Sequence, residues 1–566
     1  MIGLVAVTRA GRRHADQLAG AWGDAKVYDG PAGEALPAAF AECSGVVAFL
    51  ATGAVVRILG PLLTDKTSEP GVVCVDEAAR YAIALIGGHE GGANVLARET
   101  AAVLDCEAVV TTASDVVGRT IADRIVEALD AVIDPASDTA EVVRALLDGD
   151  PVALHMDQLW PLPALPDNVV ERSLGEAPCI LISDRARDFP RPSIVIRPPS
   201  LVLGVGTSRG AAAGEVLGLV DESLAVQGLS PLSVTSVVSV DAKSSEPGLL
   251  AAAESRGWPI TFFTPAELAA VGVPNPSEVV RAAVGTPSVA EAAATLAAGP
   301  GATLYPKRKS SMATVAIARR VPRGRLAIIG LGPGARDLMT PRAVAELQRA
   351  SLVVGLDQYV AQVRDLLRPG TAILSTALGD EEARARSAVE AASKGLAVAL
   401  IGSGDAGVYA MASPALEYAG DDIDVVVVPG VTALLAAAAD IGGAPVGHDH
   451  CAISLSDLHT PWEVIERRVH AAAEGDFVIG FYNPRSAKRD WQLPKALAIL
   501  AEHRPPTTPV AVVTNATRPT ASALQTTLAE LDVEQVGMYS MVLVGSSQSR
   551  YVAGRFITPR GYTWAP

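Results

Sequence analysis

A multidomain α/β fold is what this sequence predicts, on three observations. Short runs rich in Val, Ile and Leu end in turns carrying Gly, Ser or Thr, as strands covered on both faces do. Ala-rich stretches with helical spacing of their apolar positions lie between many of these runs. Of the 566 residues 49% are hydrophobic, only 4% are aromatic and 51 are glycine, a composition that suits layered sheets and helices and excludes a disordered chain. This length exceeds a single core and predicts about three or four domains.

Taken in order, GLVAVT at 3–8 and GVVAFLAT at 45–52 read as strands. VVCVDE at 72–77 and YAIALIGG at 81–88 are close enough to pair as a hairpin; VLARETAAVLD at 95–105 has helical spacing, and AVVTTASD at 108–115 reads as a further strand. Residues 1–128 are thus expected to form one α/β domain. Residues 129–199 carry prolines at 135, 151, 161, 163, 166, 178, 190, 192, 198 and 199, which predicts a small β-rich or irregular connecting region. LVLGVGTSRG at 201–210 restarts the strand, turn, helix rhythm for a domain over 200–322. After the basic joint RVPRGR, residues 323–566 show strands at LAVALIGSG, DVVVVPG, DFVIGFYN, PVAVVTN and MVLVGS, an enzyme-sized α/β unit in two lobes.

A formal charge of −16 argues against a nucleic-acid partner, which needs a basic face. The five cysteines (Cys43, Cys74, Cys106, Cys179, Cys451) are scattered, so neither a zinc knuckle nor a disulfide framework is predicted. The first basic residues follow the N-terminal apolar run instead of preceding it, and no apolar stretch reaches the roughly 18 to 20 residues of a membrane span. A soluble, cytoplasmic protein without a membrane partner is expected.

Four turns at predicted strand ends carry the chemistry: GPG at 332–334, SGDAGVY at 403–409, PGVTA at 429–433 and TNATRP at 514–519. Taken alone, each is equally a tight turn or part of a ligand cradle. In an open parallel sheet such turns meet in one crevice outside the carboxyl ends of the strands. A dinucleotide-binding oxidoreductase is disfavoured, because Pro333 removes an N–H that pyrophosphate would need and no acidic ribose partner is visible.

These turns, in this order with GHDHCAISLSDLHTPW at 447–462 and GFYNPRS at 480–486, resemble the S-adenosylmethionine-dependent tetrapyrrole methylases over essentially all of 324–566, specifically the precorrin-3B or cobalt-factor III C17-methyltransferases of cobalamin biosynthesis. The resemblance implies the two-lobed class III methyltransferase fold, usually homodimeric, with a tetrapyrrole substrate and S-adenosyl-L-methionine as cofactor. Carried over by motif, Pro333, Ser403, Gly404, Asp405, Val408, Thr432, Ala433, Tyr482 and Ala516 are expected to line the donor site. Asp357 is read either as a base or substrate-orienting group or as a surface carboxylate at a strand end. His448, Asp449, His450 and Cys451 have metal-ligand types, but with no second ligand cluster a substrate-facing loop including Asp449 is favoured and no metal is expected. Arg485, followed by Lys488 and Arg489, is read as a partner for the macrocycle's carboxylate arms or as a solvated helix start.

Asp65, Lys66, Asp76, Glu77, His89, Glu90 and Asn94 lie on turns over 49–99; with LGVGTSRG, SVDAKSSEPGLL and YPKRKSSMATVAIAR they resemble the cobalamin biosynthesis CbiG family, the cobalt-precorrin-5A hydrolases, across about 45–320. That implies opening of the ring A lactone with release of acetaldehyde. His89 and Glu90 are the general-base candidates, against a structural reading in which their glycine-rich loop serves backbone geometry. Lys243, Lys307 and Lys309 offer local positive charge for a polycarboxylate, or simply form a solvated turn. Thr207 and Ser208 stand where this family often has cysteine, so a thiol mechanism is not expected. The alternative is a methyltransferase with a non-catalytic tetrapyrrole-binding N-terminal half.

Overall fold

Runs of β-branched and aliphatic residues form the inner strands here because both faces of those strands are covered, so a continuous apolar run is buried whichever way its side chains alternate. The computed structural model describes residues 1–64, 69–88, 91–110, 121–172, 175–377 and 379–561. They divide into two units, Met1–Asp123 and Arg124–Pro566.

The first unit is a six-stranded sheet in the order Ala25–Tyr28, Ile2–Ala6, Gly45–Phe49, Gly71–Val75, Tyr81–Ile86 and Glu107–Val109. Every residue of Gly45–Phe49 and Gly71–Val75 is buried. The expected hairpin forms, with Cys74 opposite Ile83 and Val75 opposite Ala82 in antiparallel register. Helices Arg9–Ala21 and Ala93–Leu104 cover one face through Ala15, Leu18, Leu96 and Ala97, and Ala32–Glu42 and Thr52–Leu59 cover the other through Leu36, Ala39, Val55 and Leu59. Thr8 starts the first helix by accepting the Gly11 N–H at 3.0 Å. Of the expected strand at 108–115, Ala108 and Val109 are in strand, and 111–115 lie outside the described residues.

The second unit carries four larger sheets. Of the two expectations for the proline-dense stretch the β-rich one holds: Val132–Ile133, Ser193–Arg197, Cys179–Ile182, Val152–Met156 and Val169–Glu171 make one sheet, parallel apart from its first strand. All ten prolines fall outside these strands, where a missing N–H costs the ladder nothing. Next, Ile260–Phe263, Val234–Val240 and Leu201–Thr207 run parallel, and Ala313–Arg319 closes against the last in antiparallel register. Helix Ala290–Ala298 presses on that sheet so closely that a Cβ at Gly204 would lie 1.9 Å from the Ala290 carbonyl oxygen. Buried Asp184 ties the two sheets, accepting from Arg319 at 2.6 and 2.8 Å and from Ser200 at 2.6 Å.

Beyond Arg323 come the two lobes. The first lobe is wholly parallel, in the order Ala372–Thr376, Leu352–Leu356, Ala397–Gly402, Gly324–Gly330 and Ile423–Val428. Its side chains alternate cleanly: Leu326, Ile328, Val398 and Leu400 fill one core, while Ala327, Ile329, Ala399 and Ile401 fill the other. The second lobe is mixed, in the order His450–Ser454, Val478–Tyr482, Ser540–Val544, Pro509–Thr514 and Ser522–Thr527.

Candidate active site

Three adjacent strands of the first lobe, Gly324–Gly330, Ala397–Gly402 and Ile423–Val428, end at the same edge, and their turns are joined through backbone. Gly332 and Gly404 exchange N–H···O bonds of 3.0 and 2.7 Å. Gly430 lies so near that a Cβ there would be 2.2 Å from the Gly404 oxygen and 2.7 Å from the Gly330 oxygen. Only glycine allows three strand ends to converge this closely. Asp405 then pins the arrangement: one carboxylate oxygen accepts the Gly407 N–H at 2.8 Å and the other accepts the Gly430 N–H at 3.0 Å.

The second lobe supplies the facing wall. Tyr482, at the end of its strand, bonds through its hydroxyl to the Thr432 hydroxyl and accepts the Leu434 N–H at 3.1 Å. It thereby caps helix Ala433–Asp440, whose N-cap Thr432 makes no side-chain cap bond of its own. Burial pushes the Tyr482 phenol above its usual range, more than its bonds to Thr432 and Leu434 lower it, so it is a neutral hydrogen-bonding group at neutral pH. Reciprocally, Tyr409 of the first lobe donates to the Ala452 carbonyl at 3.0 Å and accepts the Ser454 N–H at 3.2 Å. Its ring sits 5.0 Å from that of Tyr482, and its backbone is held at φ +51°, a costly conformation for a bulky residue. Residues after Thr514 reach back as well: the Thr517 hydroxyl accepts the Ala335 N–H at 3.2 Å, and Arg518 Nε donates to the Pro333 carbonyl at 3.1 Å.

These walls enclose a cleft of about 230 Å³. Pro333, Ser403, Gly404, Asp405, Val408, Thr432, Ala433, Tyr482 and Ala516, nominated from the sequence, all line it. So do residues the sequence reading did not nominate, among them Gln358, Tyr359, Tyr409, Asn515, Arg518 and Met541. Tyr409 and Arg518 lie inside two of the quoted turns, SGDAGVY and TNATRP; their side-chain chemistry was the available signal.

Other nominated residues fall elsewhere. Asp357 is exposed and opens helix Asp357–Val363, immediately before the lining residues Gln358 and Tyr359 but not itself among them. Asp449 is exposed, its N–H bonded to His448 Nδ1 at 2.7 Å, and among the described residues no group of three His, Cys, Asp or Glu is placed to hold a metal ion. Arg485 does not face the cleft as a free cation: its guanidinium holds both Glu534 oxygens at 2.7 Å and the Val533 carbonyl at 3.2 Å. Lys307 is likewise engaged within its own domain, by buried Glu291 at 2.8 Å and the Asn275 carbonyl at 2.9 Å. Lys243 lies 3.5 Å from buried Glu246, while Lys309 is exposed on its short strand. Asp65, Lys66, His89 and Glu90 lie outside the described residues.

Fold and cleft together define a two-lobed α/β class of protein with a cleft where the lobes meet, at the carboxyl ends of the first lobe's strands. A family model described as tetrapyrrole (corrin/porphyrin) methylases matches residues 325–532. Models for the cobalamin synthesis G N-terminal region, the cobalamin biosynthesis central region and the cobalamin synthesis G C-terminus match 34–115, 122–198 and 201–318. The chain is 46% identical over 241 residues to a probable cobalt-factor III C(17)-methyltransferase of Salmonella typhimurium, covering 42% of this chain and 99% of that one. It is 38% identical over 253 residues to a precorrin-3B C(17)-methyltransferase of a Sinorhizobium species, covering 43% and 98%. A cobalt-factor III methyltransferase of Priestia megaterium is 41% identical over 247 residues, and there the match spans 42% of this chain and 45% of the relative. The chain therefore belongs to the tetrapyrrole methylases, with the three regions of the cobalamin synthesis G family preceding the methylase domain, and it is a methyltransferase of cobalamin biosynthesis.

Proposed function

We propose that residues 323–566 transfer a methyl group from S-adenosyl-L-methionine to C17 of a precorrin-3B or cobalt-factor III macrocycle, accompanying ring contraction, and that the preceding half opens the ring A lactone of a cobalt-precorrin-5A-type substrate. The observation that carries the first part is that Gly330 and Gly430 let three strand ends pack backbone against backbone, which brings the turns bearing Pro333, Gly404 and Thr432 together on one cleft. The donor fits such a site, since it brings its own activated, electrophilic methyl group and asks the protein chiefly for position and dryness. Pro333, Ser403–Asp405, Val408, Thr432, Ala433, Tyr482 and Ala516 are the residues we assign to holding it. Asp405 fixes the spacing of two turns, Tyr482 fixes the start of helix Ala433–Asp440, and buried Val513 and Met541 keep water from that wall. No side chain need take a proton in this step, because the macrocycle's conjugation makes its carbon nucleophilic.

The three regions of the cobalamin synthesis G family support the lactone-opening part, with His89 and Glu90 as proposed bases and Lys243 and Lys309 as cations for the substrate's arms. A cytoplasmic, homodimeric enzyme is the proposed setting. The test incubates the full chain with S-adenosylmethionine and either metal-free precorrin-3B or cobalt-factor III, following methyl addition by mass. A second incubation with the cobalt-precorrin-5A lactone follows acetaldehyde. Failure of both first substrates to gain a methyl refutes the assignment; methylation without acetaldehyde release leaves the N-terminal half as a binding module.

A further inference from the structure

Arg518 is a half-buried permanent cation on the cleft wall, and among the described residues it forms no ion pair. Its aliphatic stem lies against Gly334, where a Cβ would meet its Cγ at 2.6 Å, and its Nε is taken by the Pro333 carbonyl. That leaves the two terminal nitrogens of a planar fork, fixed in place by its stem and its Nε. The cleft's own carboxylate does not answer it, because both oxygens of Asp405 are bonded to backbone N–H groups. Arg485, expected to meet an anionic substrate, is held by Glu534 instead. A guanidinium without an acidic partner in a partly desolvated cleft is unfavourable unless an anion arrives with the ligand.

We propose that Arg518 is the carboxylate-docking residue of this cleft, receiving a ligand carboxylate on its terminal nitrogens. The inference rests on the methyl-transfer reading above. Two ligands bring such a group, the amino-acid end of the donor and an acid arm of the macrocycle, and the experiment separates them.

Calorimetry measures binding of S-adenosylhomocysteine and of 5′-methylthioadenosine, which keeps the adenosine and thioether but lacks the carboxylate, to the full-length wild type and to Arg518→Met. Fluorescence titration measures a porphyrin with carboxylate arms and its amidated counterpart. Loss of a charge-assisted fork predicts about ten- to hundredfold weaker binding of one carboxylate-bearing ligand. A loss confined to S-adenosylhomocysteine assigns the donor; a loss confined to the carboxylated porphyrin assigns the acceptor. Arg518→Lys recovers part of either loss. Should the Met variant not fold, Arg518→Gln repeats the measurement, keeping a planar donor for Pro333 without the charge.

Wild-type affinity of the variant for both carboxylate ligands overturns the inference. So does equal weakening of S-adenosylhomocysteine and methylthioadenosine, which would make Arg518 a clasp on the Pro333 loop. A wild-type protein that takes up no S-adenosylhomocysteine overturns the donor reading and this inference together, whereas normal uptake of both S-adenosylhomocysteine and the carboxylated porphyrin by wild type and variant alike overturns this inference alone.

Discussion

Replacing Gly430 by alanine adds one methyl group at the point where three strand ends meet. That Cβ would lie 2.2 Å from the Gly404 oxygen, 2.7 Å from the Gly330 oxygen and 2.9 Å from the Gly330 carbonyl carbon, against about 3.4 Å for ordinary contact. None of these atoms belongs to a side chain that can rotate away, so the turn beginning at Pro429 must shift by about 1 Å. Overpacking of this kind costs about 1–3 kcal/mol. The same shift stretches the 3.0 Å bond from the Gly430 N–H to Asp405, worth about 1.5–3 kcal/mol as a bond to a charged group. We expect Gly430→Ala to unfold at lower urea concentration by about 3 kcal/mol. It should bind S-adenosylhomocysteine about a hundredfold more weakly, since Thr432 and Ala433 move with the turn. Gly402→Ala is the control: it stands at the same sheet edge, yet its Cβ would meet nothing within 4 Å. Urea denaturation and calorimetry read both quantities, and a Gly430→Ala protein matching wild type in either would refute the convergence argument.

Asp405→Asn keeps the size of the side chain but offers an NH₂ group where one backbone N–H now finds an acceptor; S-adenosylhomocysteine affinity should fall about tenfold or more, and unchanged binding would show the pin to be unimportant. Tyr482→Phe removes the acceptor for the Leu434 N–H and the partner of Thr432, with an expected loss of about 1–2 kcal/mol in chemical denaturation. Burial raises the Asp134 carboxyl, but the Ala136 N–H and the Arg197 guanidinium outweigh it and hold the group below its ordinary value. A depressed folded-state pKa means that the resulting stability is fully present above the unfolded value of about 3.9 and is lost as pH falls through the folded one, so Asp134→Asn should flatten the denaturation midpoint below about pH 4, and an unaltered acid profile would contradict this.

The parallel first lobe was legible because its inner strands Gly324–Gly330, Leu352–Leu356 and Ala397–Gly402 are buried on both faces, so uninterrupted apolar runs such as LAVALIG announce themselves without reference to distant residues. The cleft's turns were legible for a related reason: glycine, proline and one carboxylate at strand ends are local signals. Positive charge was not. Arg485 and Lys307 look available in the chain, and nothing nearby marks Glu534, 49 residues on, or Glu291, 16 residues back, as the partners that occupy them. Tyr409 was overlooked for the same reason, since its hydroxyl bonds to backbone 43 and 45 residues away. The proline-dense stretch left a β-rich and an irregular reading open, because proline spacing records where strands stop and says little about whether a sheet forms between them.

Tyr482 bonds the Thr432 hydroxyl on the turn that follows the first lobe's last strand, and Tyr409 grips an edge strand of the second. Ownership of the aperture is therefore divided, like two hands each clasping the other's wrist. A fragment ending near Val428 would retain its parallel sheet but lose half of the rim, and mechanical or chemical loosening of either half should blur the opening before it melts a core.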